Sequence, residues 1–255
     1  MGIFALIMMV GWWAPGSAEA ETITIAAAAD LTFAFKEVVP QFEHESGDTV
    51  KLSFGSSGNF FAQIQNGAPY DLFFSADIGY PKKLEAAGLT EPGTLYEYAV
   101  GKIVLWVLNQ SPLDVSKGLT ILTDSRVNKI AIADPAHAPY GRAAVEALKH
   151  EKLYDEVKSK LVQGENIAQT AQFVQSGSAD IGILALSLAL APTLQKEGRY
   201  GEIPGALYAP IEQAAVVLKA SKKKPVAEAF LAFLQKPGTV ALMKRYGFMI
   251  PAHPQ

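Results

Sequence analysis

The segment FGSSGNFF (residues 54–61) decides the fold, because a turn of glycine and serine here joins a short strand to a helix. The strand-like run 50–53 precedes the turn, and the helical run 61–66 follows it and ends at Gly67. The first N–H groups of a helix have no internal partner and carry partial positive charge, so such a turn suits an anion. The turn contains no Lys or Arg, which favours a site built from neutral donors.

The same succession of strand, turn and helix continues on both sides of this segment. It predicts mostly parallel sheets with helices on both faces. In such sheets ligands bind at the carboxyl ends of the strands. The predicted strands are 22–26, 50–53, 70–77, 103–108, 129–133, 180–184 and 214–218.

The strands and helices fall into two series, and the chain crosses between them near 98–102 and 207–213. We therefore predict an α/β fold of two lobes joined by a hinge, with the cleft between them as the binding site. Residues 21–99 and 208–255 are predicted to form lobe 1, and residues 100–207 lobe 2. Each series places two loops at strand ends. They are 27–30 and 55–59 in lobe 1, and the loops near Tyr140 and Ile167 in lobe 2.

Length and composition limit the possible functions. The chain has 255 residues, of which 49% are apolar, and a formal net charge of −3, so it can bury a large core. Its basic run is confined to 222–224, and a nucleic-acid partner is not expected. The absence of cysteine excludes disulfides, thiolate metal sites and a cysteine nucleophile.

The first twenty residues differ from the rest. The apolar run 2–13 has the length of a signal-peptide core, and Ala18-Glu19-Ala20 is an A-x-A cleavage pattern. We predict that residues 1–20 are a removed export signal and that the mature chain acts in the periplasm or outside the cytoplasm. A buried N-terminal helix is the alternative.

Several motifs, taken in order, resemble one known family. The chain resembles the periplasmic molybdate-binding proteins of ABC importers, which have the type II periplasmic-binding fold, over about residues 21–250. The motifs are AAADL (27–31), FGSSG (54–58), GAPYDLF (67–73), SAD (75–77), Asp134-Pro135 with Tyr140-Gly141, and KRYGF (244–248). The resemblance implies a non-catalytic receptor without a cofactor or cation site, which captures molybdate or tungstate and delivers it to a membrane ABC permease. We expect a monomer.

The resemblance also implies which residues hold the oxyanion, through hydroxyls and backbone N–H groups of four loops. Carried over to this sequence they are Asp30 with Ala29 before it, Ser57, Tyr140 and the backbone N–H of Ile167. The family often has serine or asparagine at the position of Asp30. Some members have a tyrosine at the position of Ala185. This chain lacks that hydroxyl, and the hydroxyl of Tyr140 is expected to replace it.

Asp30 has two interpretations, because a carboxylate that faces a dianion is repelled by several kcal/mol even at an effective dielectric constant of about 20. A helical stripe begins at Leu31, so the favoured interpretation makes Asp30 an N-cap that accepts the N–H of Thr32 or Phe33. In the other interpretation the ligand is not a fully charged oxyanion, or it arrives with a cation.

Two other functions remain open from the sequence. One is a receptor for another anion, such as sulfate, phosphate or an organic acid. The other is an extracytoplasmic hydrolase that uses Asp71, Asp77 or Ser57, although Ser57 lacks the G-x-S-x-G pattern. The four histidines share no metal-like spacing, and His137, in the Tyr140 loop, is the one that could line the cleft.

Overall fold

The computed structural model describes residues 20–251, which form two five-stranded sheets flanked by helices. The predicted export signal lies outside this range apart from Ala20, as do residues 252–255 of the predicted lobe 1. Among the described helices, none combines the length and apolar character that crossing a membrane requires.

The elements follow one another as strand and helix through most of the chain. The strands are β1 (Thr22–Ala28), β2 (Thr49–Gly55), β3 (Leu72–Ser75), β4 (Tyr96–Gly101), β5 (Ile103–Leu108), β6 (Ile130–Ala133), β7 (Leu161–Gly164), β8 (Ile181–Ala185), β9 (Gly198–Glu202) and β10 (Ile211–Val217). The α-helices are α1 (Thr32–Ser46), α2 (Ser57–Gln65), α3 (Gly79–Ala86), α4 (Pro139–His150), α5 (Tyr154–Val157), α6 (Ile167–Gln175), α7 (Leu186–Ala189), α8 (Pro192–Glu197), α9 (Lys224–Leu234) and α10 (Pro237–Arg245). Short 3₁₀ helices are Ala29–Leu31, Val115–Thr123, Lys158–Lys160 and Gly205–Leu207.

Each sheet has four strands in one direction and one reversed strand. The first sheet has the order β2-β1-β3-β10-β4, and β10 is antiparallel to both of its neighbours. The second has the order β7-β6-β8-β5-β9, and β5 is the reversed strand. The predicted α/β class with mostly parallel sheets is thus confirmed. The sequence did not predict β4, β7 or β9, because none of the three has a continuous apolar run.

The chain passes between the two sheets twice. The first sheet draws its strands from 22–101 and 211–217, and the second from 103–202, so the passages lie at Lys102 and at 203–210. We call the first sheet with α1–α3, α9 and α10 the first lobe, and the second sheet with α4–α8 the second lobe.

An aromatic cluster holds the first lobe together. The rings of Phe35 on α1, Phe74 on β3 and Phe230 on α9 meet edge to face with centroids 5.0–5.9 Å apart. Burying each side chain contributes roughly 1.5–3 kcal/mol, and such ring pairs add about 0.5–1.5 kcal/mol. The apolar stripe predicted for α1 faces this cluster, which fixes the helix over the sheet and positions the turn before it.

The second lobe is built on strands that are buried on both faces. β6 and β8 are buried at every residue, and Trp106 on β5 is fully buried. A rigid sheet of this kind holds the loops at its carboxyl edge in fixed positions. These loops lead into α4 and α6.

Candidate functional site

The turn after β2 ends in the N-terminus of α2, which begins at Ser57. The Ser57 Oγ accepts a hydrogen bond from the backbone N–H of Ala76 at 2.9 Å. Neither the hydroxyl proton of Ser57 nor its backbone N–H has an acceptor within residues 20–251. Both groups therefore remain available as neutral donors. The neighbouring Ser56 Oγ is buried without any hydrogen-bond partner.

The turn after β1 carries Ala29 and Asp30 in a buried 3₁₀ helix. The prediction that Asp30 caps α1 is wrong, because neither helix start in this turn receives a side-chain cap. The carboxylate instead accepts hydrogen bonds on Oδ2 from the Tyr140 hydroxyl at 2.9 Å and from Gln213 Nε2 at 2.8 Å. These two donors come from distant segments, so no local pattern could reveal that they outcompete the helix N–H groups.

The second lobe presents two helix N-termini. α4 begins at Pro139, and the N–H of Tyr140 has no acceptor in the described chain. α6 begins at Ile167 after the N-cap Asn166, whose Oδ1 accepts the N–H groups of Ala168 and Gln169, both at 3.0 Å. Asn166 thus satisfies two of the N–H groups at the start of α6. It leaves the Ile167 N–H as a free donor at the positive end of the helix.

Asp30 and Tyr140 belong to one buried hydrogen-bond network that joins the lobes. Gln213 Nε2 donates to both the Asp30 carboxylate and the Tyr140 hydroxyl, and Tyr98 donates to Gln213 Oε1 at 2.7 Å. The Ser187 hydroxyl donates to the backbone carbonyl of Asp30 at 2.8 Å. Sequence reasoning missed Tyr98, Gln213 and Ser187. One sequence signal could have pointed to this network, because Gln213 is a polar residue directly before the apolar run of β10.

Burial sets the electrostatics of this network. It raises the pKa of Asp30 from 3.8 to about 6, against the lowering effect of the hydrogen bonds from Gln213 and Tyr140. Burial and the nearby Asp30 carboxylate also raise the pKa of Tyr98 and of Tyr140 well above the usual value. Both tyrosines therefore stay protonated and act as donors at any physiological pH.

The loops of the two lobes also meet outside the network. The N–H of Gly58 at the start of α2 donates to the His137 backbone carbonyl at 2.9 Å. Arg142 of α4 forms an ion pair with Asp77 and donates to the Tyr80 hydroxyl at 3.3 Å, both on the first lobe. The backbone carbonyl of His137 thus lies at the contact between the lobes, while the residue as a whole is exposed.

The structure brings the five predicted site residues to the contact between the lobes. Asp30 and Tyr140 touch directly, and α6 packs against the turn that holds Ala29 and Asp30. Each of the five is at most 3% exposed. No Lys or Arg in the described chain is hydrogen bonded to any of them. The arrangement can surround a small anion with neutral donors from both lobes.

The structure also shows the surroundings of the residues that the sequence offered for a hydrolase or a metal site. The described residues contain no group of three or more His, Cys, Asp or Glu side chains that could hold a metal ion. Asp71 lies before β3, whereas Ser57 contacts Ala76 beyond the far end of this strand. The five residue steps from Asp71 to Ala76 span roughly 17 Å. Asp77 forms an ion pair with Arg142 and accepts a hydrogen bond from the N–H of Gly79. The hydrolase candidates therefore form no single cluster.

Comparisons with known proteins show which proteins this chain is similar to. A profile of the family described as bacterial extracellular solute-binding protein matches residues 23–249. The chain is 41% identical to the molybdate-binding protein ModA of Azotobacter vinelandii over 91% of both chains. It is 38% identical to ModA of Rhodobacter capsulatus over 97% of this chain and 95% of that one.

A solved structure gives the same result for the fold. The periplasmic molybdate-binding protein of Azotobacter vinelandii superimposes with a TM-score of 0.85 at 35% identity, and the match covers 90% of this chain and 99% of that chain.

Proposed function

Because this chain belongs to the family of bacterial extracellular solute-binding proteins, we propose that it captures molybdate between its two lobes for delivery to an ABC permease. Members of this family bind substrates for transport. The similar chains named above are molybdate-binding proteins, which supports molybdate as the substrate.

The observation that carries the proposal is the set of free donors at the contact between the lobes. The N–H groups of Ser57, Tyr140 and Ile167 and the hydroxyl proton of Ser57 lack acceptors in the described chain. In a site closed to water, each hydrogen bond from such a donor to an oxyanion contributes about 1.5–3 kcal/mol. Donors from both lobes mean that the guest also stabilises the closed form.

The remaining expectations extend this proposal. Residues 1–20 act as a cleaved export signal, and the mature chain works as a periplasmic or extracytoplasmic monomer. Residues 21–99 and 208–255 move as one lobe and residues 100–207 as the other. Tungstate shares the charge and tetrahedral shape of molybdate and is expected to bind as well. The chain acts without a cofactor and has no enzymatic activity.

One observation favours a second candidate. The buried Asp30 carboxylate is an acceptor beside the donors, and an acceptor suits an oxyanion that carries a proton, such as hydrogen phosphate. Sulfate and doubly charged molybdate carry no proton. Because hydrogen phosphate carries a proton that Asp30 could accept, phosphate is the anion to compare with molybdate.

Calorimetric titration of the mature chain tests the proposal. We expect tight binding of sodium molybdate and sodium tungstate, and weak or absent binding of sulfate. Tight binding of phosphate or sulfate with no response to molybdate would contradict molybdate as the substrate while leaving the anion-receptor class in place.

A further inference from the structure

The two oxygens of the Asp30 carboxyl group have different surroundings. Oδ2 accepts hydrogen bonds from both the Tyr140 hydroxyl and Gln213 Nε2, at 2.9 Å and 2.8 Å. Oδ1 is fully buried and has no hydrogen-bond partner. A buried oxygen without a partner costs about 1–3 kcal/mol, and more when it carries charge.

No positive charge compensates this carboxyl group. Its titratable neighbours are Tyr140 on α4 and Tyr98 on β4, and both remain neutral. The other polar groups around it are neutral, namely Gln213 on β10 and Ser187 on α7. The nearest cation of α4, Arg142, is already paired with Asp77. The effect of burial therefore exceeds that of the hydrogen bonds, and the pKa of Asp30 is raised.

The hydrogen-bond pattern decides which oxygen a proton would occupy. Oδ2 already faces two donors, so a proton on Oδ2 would displace one of them. A proton on Oδ1 disturbs nothing and turns the orphaned acceptor into a donor. That donor then needs a buried acceptor of its own, and an oxygen of a bound oxyanion is one.

We propose that the Asp30 carboxyl group binds the oxyanion in its protonated form, with the Oδ1 proton donated to an oxygen of the guest. The inference rests on the proposed function, since it requires an oxyanion at the contact between the lobes. Protonation removes the repulsion between a carboxylate and a dianion and adds one donor to the site.

This assignment couples binding to proton uptake. A dianion beside Asp30 favours the protonated form, so the pKa of Asp30 is higher in the complex than in the free protein. Between the pKa of about 6 in the free protein and the higher pKa in the complex, each bound anion takes up about one proton. By linkage the affinity then falls about tenfold for each unit of pH.

The test is calorimetry of the mature protein with sodium molybdate between pH 6 and pH 9, in two buffers with different protonation enthalpies. We expect the buffer-dependent heat to report the uptake of about one proton per molybdate at pH 8, and the dissociation constant to rise about tenfold per pH unit.

Two variants isolate the residue. Asp30→Asn keeps an acceptor toward Tyr140 and Gln213 and places a permanent donor where Oδ1 lies, and Asp30→Ser supplies a hydroxyl. Both variants are expected to bind molybdate with little dependence on pH. At pH 8 the Asp30→Asn variant should bind molybdate roughly 100-fold more tightly than the wild type. Asp155→Asn changes an exposed carboxylate and should retain the wild-type pH dependence and proton uptake.

The outcomes separate this inference from the proposed function. Molybdate binding by the wild type without proton uptake, or an unchanged pH slope in Asp30→Asn, overturns the inference alone. Tighter binding of phosphate than of molybdate, without proton uptake, also overturns it, because Asp30 would then act as an acceptor. Absence of molybdate binding by the wild type and both variants at every pH overturns the proposed function and the inference together.

Discussion

Asp30 shows how a single residue takes its properties from its surroundings. It is a short acid at the end of β1, and its sequence neighbours predict a helix cap. In the folded protein one of its two carboxyl oxygens, Oδ2, accepts hydrogen bonds from α4 and β10 instead. The carboxyl group is 1% exposed and lacks a cationic partner, so its charge is costly. A buried carboxyl group of this kind makes stability depend on pH.

We expect Asp30 to destabilise the free protein as pH rises. Its pKa is raised from 3.8 to about 6 on folding, so the native state binds more protons than the unfolded state between these values. The stability from this group is therefore fully present below about pH 3.8 and is lost as pH rises through 6, a change of about 3 kcal/mol.

Denaturant unfolding of wild type and Asp30→Asn at pH 4 and pH 7.5 measures this effect. Between the two pH values the unfolding free energy of the wild type should fall by about 2.4 kcal/mol more than that of the variant. All other titrating groups are common to both proteins and cancel in the difference. Equal losses would mean that Asp30 is not the group responsible.

The hydroxyl of Ser57 has two roles, as an acceptor within the protein and as a donor to the bound anion, and two different measurements report them. Its Oγ accepts the N–H of Ala76, and its proton is free for the guest. Ser57→Ala should weaken molybdate binding by roughly 10-fold to 100-fold, the equivalent of about 1.5–3 kcal/mol. It should also lower the unfolding free energy by about 1–3 kcal/mol, because the buried Ala76 N–H loses its acceptor.

Ser56→Ala is the matched comparison, measured by the same titration and unfolding experiments. The Ser56 Oγ is buried without a partner, so its removal should leave stability unchanged or slightly raised and affect binding little. A larger loss of affinity in Ser56→Ala than in Ser57→Ala would move the donor role to Ser56.

At the scale of elements, the start of α2 and the loop before α4 form a close contact between the lobes. A Cβ at Gly58 would lie 2.8 Å from the His137 carbonyl oxygen and 2.9 Å from the Tyr80 hydroxyl. Real Cβ atoms do not approach other atoms this closely. Glycine at this position therefore allows the two lobes to meet at the donors of α2.

Gly58→Ala should hinder this contact and weaken molybdate binding by about tenfold or more, since a loss of about 1.4 kcal/mol corresponds to tenfold. The obstacle at His137 lies on the other lobe, so an open form of the protein has more room for the added methyl group. We expect titration calorimetry to show the loss of affinity while the circular-dichroism spectrum stays unchanged.

Gly238→Ala is the control for this substitution. Gly238 lies in α10, has no atom within 4 Å of a Cβ position and has no positive φ. The Gly238→Ala variant should bind molybdate as tightly as the wild type does. Normal binding by Gly58→Ala would show that the closed contact is not needed to hold the anion.

At the scale of the whole molecule, two lobes joined by two chain passages can close on a guest that binds both. A ligand that binds only the folded protein stabilises it by mass action. At a molybdate concentration 100 times the dissociation constant, the gain is about 2.7 kcal/mol. For a chain of this size that gain raises the melting temperature by roughly 5–11 °C.

Differential scanning calorimetry at pH 6.5 with molybdate, with sulfate and without anion checks this expectation. Molybdate should raise the melting temperature of the whole transition, because its contacts come from both lobes. Equal shifts with sulfate at the same concentration would indicate a salt effect. A shift confined to part of the transition would show that the anion binds one lobe only.

The sequence by itself determined the alternation of strands and helices, the two series of elements, and the turns that end in helix N-termini. These features depend on local patterns: apolar runs, helical stripes and glycine-serine turns act within a few residues of each other. The same local chemistry predicted neutral donors at these turns.

Only the tertiary structure decided the partners of Asp30. Tyr140 and Gln213 lie 110 and 183 residues away along the chain, and neither carries a local signal that points to Asp30. The packing of the lobes brings their donors to one carboxyl oxygen and leaves the other without a partner. A buried polar group is bound by whatever donor the fold places beside it, and that placement depends on the packing of both sheets together.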